Sequence, residues 1–307
     1  MSGSQLLKDK VVVVTGAGRG IGRGIALLMG AEGASVVVND LGGSSSGEGH
    51  DAGPAEEVVR EIRDKGGKAI ASTESVADWA SANVIIDKTI STYGRIDCVV
   101  NNAGIVRDRI FHKMSPEEFD AVLKVHLYGA FYISRAASTH MKSQQSGSMI
   151  HMTSSTGLIG NLGQANYAAA KLGIVALSKS IALDMVRFNV RSNVVSPSGW
   201  TRMTSGVPTD RPEMKALIEK AKKGMPPEKV APLTCFLAGD AAKDVTGQIF
   251  AVRGNELFLY NQTRPIRTIH RSEGWTPQSV AEHMLPAFEP SFTPLDVIND
   301  VFSWDPI

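Results

Sequence analysis

A tyrosine and a lysine four residues apart have the types and the spacing of a proton-transfer pair. Tyr167 and Lys171 would share one face of a helix, because side chains at positions i and i+4 lie above one another. A fixed ammonium stabilises a phenolate, so it would lower the pKa of a phenol from its ordinary value of about 10. Such a tyrosine can act as a general acid or base. The same spacing also arises by chance, as a surface hydroxyl beside a solvated amine.

A glycine cluster near the start of the chain supplies a second chemical signal. Gly16, Gly18, Gly20 and Gly22 follow a run of four valines and open a segment of helical period. At such a turn, backbone N–H groups and the positive end of a helix can bind a pyrophosphate. The spacing differs from the commoner Gly-x-Gly-x-x-Gly, so the cluster alone is a weak motif. With a bound dinucleotide, the chemistry expected of Tyr167 is hydride transfer between an alcohol or ketone and a nicotinamide.

Two charged residues bear on which dinucleotide would bind. Asp40 ends the second apolar run, where a carboxylate can accept hydrogen bonds from the adenosine ribose diol and would repel a 2′-phosphate. Arg19 argues the other way, because a cation just before Gly20 could pair with that phosphate. Asp40 stands closer to the ribose by chain order, and we therefore predict NAD, with NADP less favoured.

Hydroxyl and amide side chains follow two further apolar runs. Thr153, Ser154 and Ser155 end one of them, where a hydroxyl could polarise the oxygen of a substrate. The residues alone leave the choice among the three open, and a Ser-Ser pair is often only a turn or a helix cap. Asn102, Ala103 and Gly104 end another run, and small residues there would let the backbone approach a cofactor.

Composition narrows the classes of partner. The 307 residues include 32 basic and 31 acidic side chains, which argues against nucleic acid and anionic membranes as partners. Cys98 and Cys235 stand in apolar or helical contexts, so we expect reduced, buried thiols and no metal site. No apolar run reaches the roughly 18 residues needed to span a bilayer, and we predict a cytoplasmic protein that acts on a small molecule.

Short apolar runs alternate with longer segments of helical period, a pattern typical of parallel strands joined by crossover helices. The predicted strands are residues 11–15, 35–40, 68–71, 96–101, 148–153, 190–196 and 248–252. The predicted helices are residues 20–32, 54–65, 78–93, 116–142, 164–187 and 228–238. These elements predict an α/β fold: a Rossmann-type, doubly wound, parallel seven-stranded sheet flanked by helices. The candidate residues all follow strand ends, and so should meet at one edge of the sheet.

Two stretches depart from this alternation. Residues 41–53 are rich in glycine and serine, and predict either a solvated connection or a cover for the adenine side of the cofactor. From residue 260 the alternation stops, and we predict a C-terminal extension with one short helix near 277–285. The predicted organisation is a dehydrogenase domain at 1–259, with a variable substrate segment at about 198–226. The extension at 260–307 would pack on the same domain or on a neighbouring subunit.

Taken together, these motifs resemble the short-chain dehydrogenase/reductase family over about residues 8–255. Within that family, several stretches are similar to the (3R)-hydroxyacyl-CoA dehydrogenase unit of peroxisomal multifunctional enzyme type 2 and its bacterial stand-alone relatives. These stretches are VVVNDLGG at 36–43, GRID at 94–97, NNAGIVRDR at 101–109, GQANY at 163–167 and RMT at 202–204.

The resemblance assigns roles to particular residues. It implies that Ser154, thirteen residues before Tyr167, binds the reacting oxygen, and that Lys171 holds the ribose hydroxyls and lowers the pKa of Tyr167. His126 stands where most of the family has an asparagine whose backbone positions a water for proton relay. We expect that relay to survive, with the imidazole either packed or hydrogen-bonded. The expected cofactor contacts are Gly16, Arg19, Gly20, Ile21, Gly22, Asp40, Ser75, Val76, Asn102, Ala103, Gly104, Tyr167, Lys171, Pro197, Thr201 and Thr204.

The resemblance also implies a substrate and an assembly. It implies interconversion of a (3R)-3-hydroxyacyl-CoA and its 3-oxoacyl-CoA in a homodimer or homotetramer. A steroid or another bulky secondary alcohol is an alternative substrate, since the same catalytic set serves any such carbinol. A non-catalytic nucleotide sensor or scaffold is an alternative of another class. Whether Arg107, Arg109 or Arg202 binds a CoA phosphate is left open by the sequence.

Overall fold

A single twisted sheet with helices on both faces organises the chain. The computed structural model describes residues 5–201, 218–220 and 222–306. Its strands are β1 Val11–Thr15, β2 Ser35–Asn39, β3 Lys68–Ser72, β4 Cys98–Asn101, β5 Gly147–Met152, β6 Val190–Ser198, β7 Ile249–Arg253 and β8 Glu256–Leu259. Their order is β3-β2-β1-β4-β5-β6-β7-β8, and the first seven strands in the chain pair in parallel. The predicted doubly wound α/β fold is therefore confirmed.

The count of seven strands was wrong, because the sheet has an eighth. Strand β8 pairs antiparallel with β7, and Arg253 lies opposite Glu256 across a two-residue hairpin turn. Gly254 in that turn has a φ of 63°, a left-handed conformation that glycine adopts without strain. The Gly-Asn pair between two apolar runs was a hairpin signal in the sequence. The run after it is only four residues long and half-exposed, so it lacked the pattern of a buried strand.

The helices fall close to the predicted segments. They are α1 Gly20–Ala31, α2 Gly53–Asp64, α3 Trp79–Tyr93, α4 Pro116–Leu123, α5 Gly129–Gln144, α6 Ser155–Leu158, α7 Ala165–Met185 and α8 Ala231–Ala238. The start of α4 carries a capping box: the Ser115 hydroxyl accepts a hydrogen bond from the Glu118 amide, and the Glu118 carboxylate accepts one from the Ser115 amide. No helix within the described part of the chain is long and apolar enough to cross a membrane.

The helical segment predicted at 116–142 is not one regular helix. A π-helical turn, Lys124–Tyr128, joins α4 to α5 and carries His126. Such turns are rare in helices and are frequent at functional sites. Because the turn adds a residue to the helical repeat, it changes which side chains face inward. A regular 3.6-residue period in the sequence does not indicate such a turn.

Burial on both faces explains why the strands are continuously apolar. Val12 and Val14 of β1 belong to the core beneath α1, α2 and α8, while Val13 belongs to the core beneath α3 and α5. Alternate side chains of one strand thus enter different layers, and both layers exclude water. This rigid sheet holds the ends of β1, β2, β4, β5 and β6 at one edge.

The C-terminal extension has more helix than predicted. Helical turns run through Pro277–Ser279, Val280–Met284 and Leu285–Phe288, and another follows at Ile298–Val301. Among the described residues after Leu259, none belongs to a strand. The division at 259 stays a prediction.

Candidate active site

The glycine loop is built so that only glycine fits at its critical positions. Gly16 and Gly20 have φ values of 63° and 54°, which are left-handed. A Cβ placed on Gly22 would lie 2.2 Å from the carbonyl oxygen of Gly16. Helix α1 begins at Gly20, and no side chain caps it at Arg19. Its first amides are therefore placed to bind an anion such as a pyrophosphate.

Asn102 holds the glycine loop in place. Its side-chain amide donates to the carbonyl oxygens of Thr15 and Gly16, at 3.0 Å each. The Thr15 hydroxyl in turn accepts hydrogen bonds from the amides of Asn102 and Ala103. The side chain of Asn102 is thus occupied within the protein. We infer that the turn at Asn102 would influence cofactor binding indirectly, by fixing the shape of the glycine loop.

Asp40 lies where the sequence places it, at the end of β2 beside the glycine loop. Its carboxylate accepts hydrogen bonds from the Gly18 amide and from the Gly42 amide, both at 2.7 Å. These bonds tie the glycine loop to the glycine-rich segment 41–53. That segment is not merely a solvated connection, because it accepts further hydrogen bonds from Val106 and Arg107.

Other predicted cofactor residues surround the same cleft. The Thr201 side chain lies beside Gly20, 3.3 Å from a Cβ built there. Ile21 packs near Gly199, two residues after Pro197. The Ser75 hydroxyl accepts from the Ala77 amide, and Val76 is buried against Gly129. Thr204, like Arg202, lies outside the described residues.

The structure separates the three candidate hydroxyls. Thr153 donates to the main-chain oxygen of Lys171 at 2.6 Å, and Ser155 is buried with its hydroxyl 3.3 Å from that of Ser196. Ser154 caps the short helix α6 by accepting from the Thr156 amide, and its side chain lies close enough to the Tyr167 hydroxyl to lower the pKa of that group. Ser154 is therefore the hydroxyl that meets Tyr167, while the other two serve structural contacts.

The environment of Tyr167 differs from the expected one. Burial raises the pKa of Tyr167 to about 12, although the hydrogen bond from Ser154 opposes this shift and nearby Asp108 adds to it. The sequence argument expected Lys171 to lower this pKa. In the structure the Lys171 ammonium donates to the Met152 carbonyl at 2.7 Å, and lies 5.5 Å from the centre of the Tyr167 ring. Desolvation of the phenolate therefore dominates the pKa of Tyr167 here.

Lys171 is itself strongly perturbed. The side chain is 4% exposed, and burial lowers its pKa from 10.5 to about 7. A buried amine that titrates near neutrality can exchange protons at working pH.

We expect the free energy of unfolding to rise as the pH increases from about 7 to 10.5, because Lys171 is then neutral in the folded state but protonated in the unfolded chain. Below about pH 7 both states carry the proton, so the cost of burying the cation is fully present. Urea unfolding over this range would measure the slope. A Lys171→Met protein should lose that rise, whereas Lys179→Met, at an exposed position of the same helix, should keep it. An equal slope in all three proteins would contradict the assignment.

His126 is both packed and hydrogen-bonded. The imidazole is 3% exposed, and its Nε2 lies 3.1 Å from the Ile105 amide nitrogen and 2.8 Å from the Ile105 oxygen. Its ring meets the Tyr167 ring edge to face, with the centres 5.2 Å apart. A Cβ on Gly104 would lie 2.3 Å from the imidazole. Burial, aided by the charge of Lys171, holds the pKa of His126 well below its usual value, so the ring is neutral.

The structure adds a residue that the sequence argument had named only as part of a motif. Asp108 is near Tyr167 and accepts a hydrogen bond from Gln164 at 2.9 Å, and burial raises the pKa of its carboxyl group. Gln164 also accepts from Thr156, which follows Ser154 and Ser155. These contacts link the loop after β4 to the start of α7. The motifs 101–109 and 163–167 contain these two residues, but chain spacing does not show that residues 108 and 164 meet.

Two arginines considered for a CoA phosphate already have partners. Arg109 donates to the Glu118 carboxylate at 3.0 and 3.2 Å. Arg107 donates to the Ser46 carbonyl and lies 3.9 Å from the Glu48 carboxylate. Either would have to exchange these contacts in order to bind a phosphate.

Comparison with known proteins places the chain in a family. The family model described as enoyl-(acyl carrier protein) reductase matches residues 16–254. A solved structure, a short chain dehydrogenase from Mycobacterium avium, is similar with a TM-score of 0.82 and 36% identity, covering 95% of this chain and 99% of that one. The chain belongs to the short-chain dehydrogenase/reductase family, and it is an oxidoreductase of that family acting on CH–OH groups.

Three relatives of stated names refine this placement. A short-chain type dehydrogenase/reductase of Mycobacterium tuberculosis is 46% identical over 82% of this chain and 84% of its own. The peroxisomal multifunctional enzyme type 2 of Mus musculus is 40% identical over 89% of this chain, but this match spans only 36% of that enzyme. The hydroxyacyl-CoA dehydrogenase ChsB1 of M. tuberculosis is 36% identical over 95% of this chain and 94% of its own. The resemblance inferred from the motifs is confirmed.

Proposed function

We propose that the protein is an NAD-dependent dehydrogenase that interconverts a (3R)-3-hydroxyacyl-CoA and the corresponding 3-oxoacyl-CoA. One observation carries the proposal: Ser154, Tyr167 and Lys171 come together at the carboxyl edge of the sheet, beside a glycine loop that tolerates no side chain. The name of the relative ChsB1 and the likeness to the multifunctional enzyme support the acyl-CoA substrate.

The glycine loop fits a nicotinamide dinucleotide. The space beside Gly16 and Gly22 is closed to a Cβ, the start of α1 is uncapped, and Asp40 stands at the end of β2. The first amides of α1 would hold the pyrophosphate, and Asp40 would accept hydrogen bonds from the ribose. When bound, the nicotinamide supplies the acceptor or donor of the hydride.

The side chains of the site would transfer the proton and position the reacting groups. In the oxidative direction, Tyr167 takes the proton of the substrate hydroxyl after its own proton has been lost. Ser154, whose side chain lies beside the Tyr167 hydroxyl, would hold the reacting oxygen. Lys171, whose pKa is lowered to about 7 by burial, can receive and release a proton near neutral pH. His126 acts as a positioning residue, because its ring packs against that of Tyr167 and bonds the main chain of Ile105.

A spectrophotometric screen tests the proposed reaction. NAD and NADP would each be offered with (3R)- and (3S)-3-hydroxyacyl-CoA of several chain lengths, with steroid side-chain thioesters and with free steroid alcohols. We expect the highest kcat/KM with NAD and a (3R)-thioester. A preference for free steroid alcohols would replace the proposed substrate with the alternative one. No turnover with any of these, together with tight dinucleotide binding, would point to a sensor or scaffold.

Asp40 is expected to set the preference for NAD. Replacing it with serine removes the negative charge beside the ribose, so kcat/KM for NAD should fall by roughly 10- to 100-fold relative to NADP. Steady-state kinetics with both cofactors measures the ratio. Asp51→Ser is the matched control, because the Asp51 carboxylate is exposed and accepts a hydrogen bond from the Gly53 amide at 2.9 Å. An unchanged cofactor ratio in Asp40→Ser would contradict this role.

We also propose that the protein is a homodimer or homotetramer in its working form. Helices α5 and α7, with the turn that precedes α5 and the turn that follows α7, expose large apolar side chains that a partner subunit would cover. These side chains are Tyr128, Phe131, Leu172, Leu183 and Val186. Sedimentation equilibrium would distinguish either assembly from a monomer. The expected cytoplasmic location stays a prediction.

A further inference from the structure

The end of the chain is anchored to the edge of the sheet. The Arg253 guanidinium lies 5.7 Å from the centre of the Phe302 ring and 5.4 Å from that of Trp304. Arg253 also donates to the main-chain oxygen of Trp304, and the Trp304 indole donates to the Glu256 carboxylate at 2.7 Å. Phe258 adds an edge-to-face contact with Phe302. Aromatic and cation–π contacts of this kind fix the position of Trp304 on β7 and β8.

Beyond this anchor, the chain reaches a different part of the protein. The Asp305 carboxylate forms an ion pair with Lys220. The next residue, Pro306, lies 3.4 Å from a Cβ built on Gly224. Residues 305 and 306 therefore contact Lys220 and Gly224, which precede α8 in the chain.

Residues 224–228, which precede α8, lie beside the proposed dinucleotide-binding site. The Trp200 amide donates to the Met225 oxygen at 2.8 Å. A Cβ built on Gly199 would lie 3.2 Å from Pro227 and 3.3 Å from Ile21, in the first turn of helix α1. Residues 224–228 are thus packed between the end of the chain and the loop that would hold the pyrophosphate.

The contacts differ in strength. Lys220 and Asp305 are 58% and 60% exposed, so water and salt weaken their attraction. Arg253 and Glu256 are only 12% and 15% exposed, and their contacts with Trp304 are correspondingly stronger. The anchor at Trp304 therefore contributes more than the ion pair to keeping Asp305 and Pro306 in place.

We propose that residues 302–306, near the C-terminus, form a latch that holds residues 224–228 against the glycine loop and slows dinucleotide release. The latch itself follows from the contacts of one chain. Its effect on release rests on the proposed dinucleotide site. Freeing Trp304 would loosen Asp305 and Pro306, then residues 224–228, and finally one wall of the cleft.

Hydrogen exchange on the full-length protein without cofactor tests the latch. In Trp304→Ala, peptides containing residues 222–228 should exchange roughly tenfold faster, as expected for loss of an aromatic anchor with its cation–π contact. Trp304→Phe keeps a ring beside Arg253 and should restore most of the protection. Trp275→Ala is the matched control, because Trp275 lies in the same extension and is similarly exposed, at 41% against 45% for Trp304. Unchanged exchange at 222–228 in Trp304→Ala would overturn the latch.

Stopped-flow measurement of NADH dissociation tests the consequence. We expect the rate constant to rise roughly tenfold in Trp304→Ala and not in Trp275→Ala. The Lys220→Asp and Asp305→Lys single variants should each show a smaller rise, and the double variant should reverse it. Faster hydrogen exchange at 222–228 with an unchanged rate of NADH release would support the latch as a structural contact. It would refute the proposal that the latch slows dinucleotide release. Failure of the unmodified protein to bind NADH would instead refute the proposed cofactor site.

Discussion

Replacing Tyr167 with phenylalanine is expected to lower kcat by about 10²- to 10⁴-fold, the usual contribution of a positioned general acid or base. The phenol is the group that meets Ser154, and the Tyr167 ring packs against His126. Phenylalanine keeps the ring and removes only the hydroxyl. Dinucleotide affinity and the free energy of unfolding should therefore change little. Single-turnover kinetics would show that the loss lies in the chemical step.

Tyr128→Phe is the matched control for this experiment. Tyr128 is 47% exposed on the turn between α4 and α5, so removing its hydroxyl should leave kcat unchanged. Near-normal turnover by Tyr167→Phe, with NADH still bound, would exclude Tyr167 as the proton-transfer group. Ser154→Ala should then be the more damaging substitution, since its hydroxyl would be the remaining candidate for handling the substrate oxygen.

Replacing Gly22 with alanine is expected to destabilise the protein and weaken dinucleotide binding. Alanine ordinarily stabilises a helix by about 1 kcal/mol relative to glycine. Here its Cβ would lie 2.2 Å from the Gly16 oxygen and 2.5 Å from the Asn102 amide nitrogen, so the backbone of the loop must move. Strain of this kind costs about 1–3 kcal/mol or more, and so outweighs the helical gain. Displacing the Gly16 carbonyl would also break its bond to Asn102.

The measurements for this variant are urea unfolding and NADH titration. We expect a lower free energy of unfolding and an affinity reduced by about 10- to 100-fold, since the amides that face the pyrophosphate move with the loop. Gly173→Ala in α7 is the matched control, because the atoms nearest its Cβ would belong to the flexible side chain of Leu127, at 3.1 Å. That variant should be neutral or slightly more stable. Unimpaired NADH binding by Gly22→Ala would show that the loop does not seat the cofactor.

Local patterns carried much of the architecture. The four valines of β1 predicted a strand, and the helical period predicted a helix from residue 116, where α4 begins. Both signals depend on residues that are neighbours in the chain, so the sequence shows them directly. The four-residue strand β8 and the π-helical turn at His126 were not predicted, because neither produces a periodic pattern of its own.

The candidate site, too, was predicted only in part from the sequence. The sequence named Ser154, Tyr167 and Lys171, but it left Thr153 and Ser155 as rivals to Ser154. The structure distinguishes them through partners that are distant in the chain, namely Ser196 for Ser155 and, for Thr153, the main chain of Lys171. Hydrogen-bond partners of this kind depend on packing between elements, which spacing along the chain does not encode.

By itself, the sequence determined the parallel α/β order, the glycine turn and the catalytic residue types, because strand and helix periods and glycine conformations are local properties. Only the tertiary structure decided the protonation behaviour of the site. The pKa of Tyr167 is raised to about 12 and that of Lys171 is lowered to about 7 mainly because the folded chain removes water from both groups. Likewise, only folding brings Trp304 onto Arg253 and Pro306 onto Gly224. Desolvation and long-range packing arise from the whole fold, and no short segment specifies them.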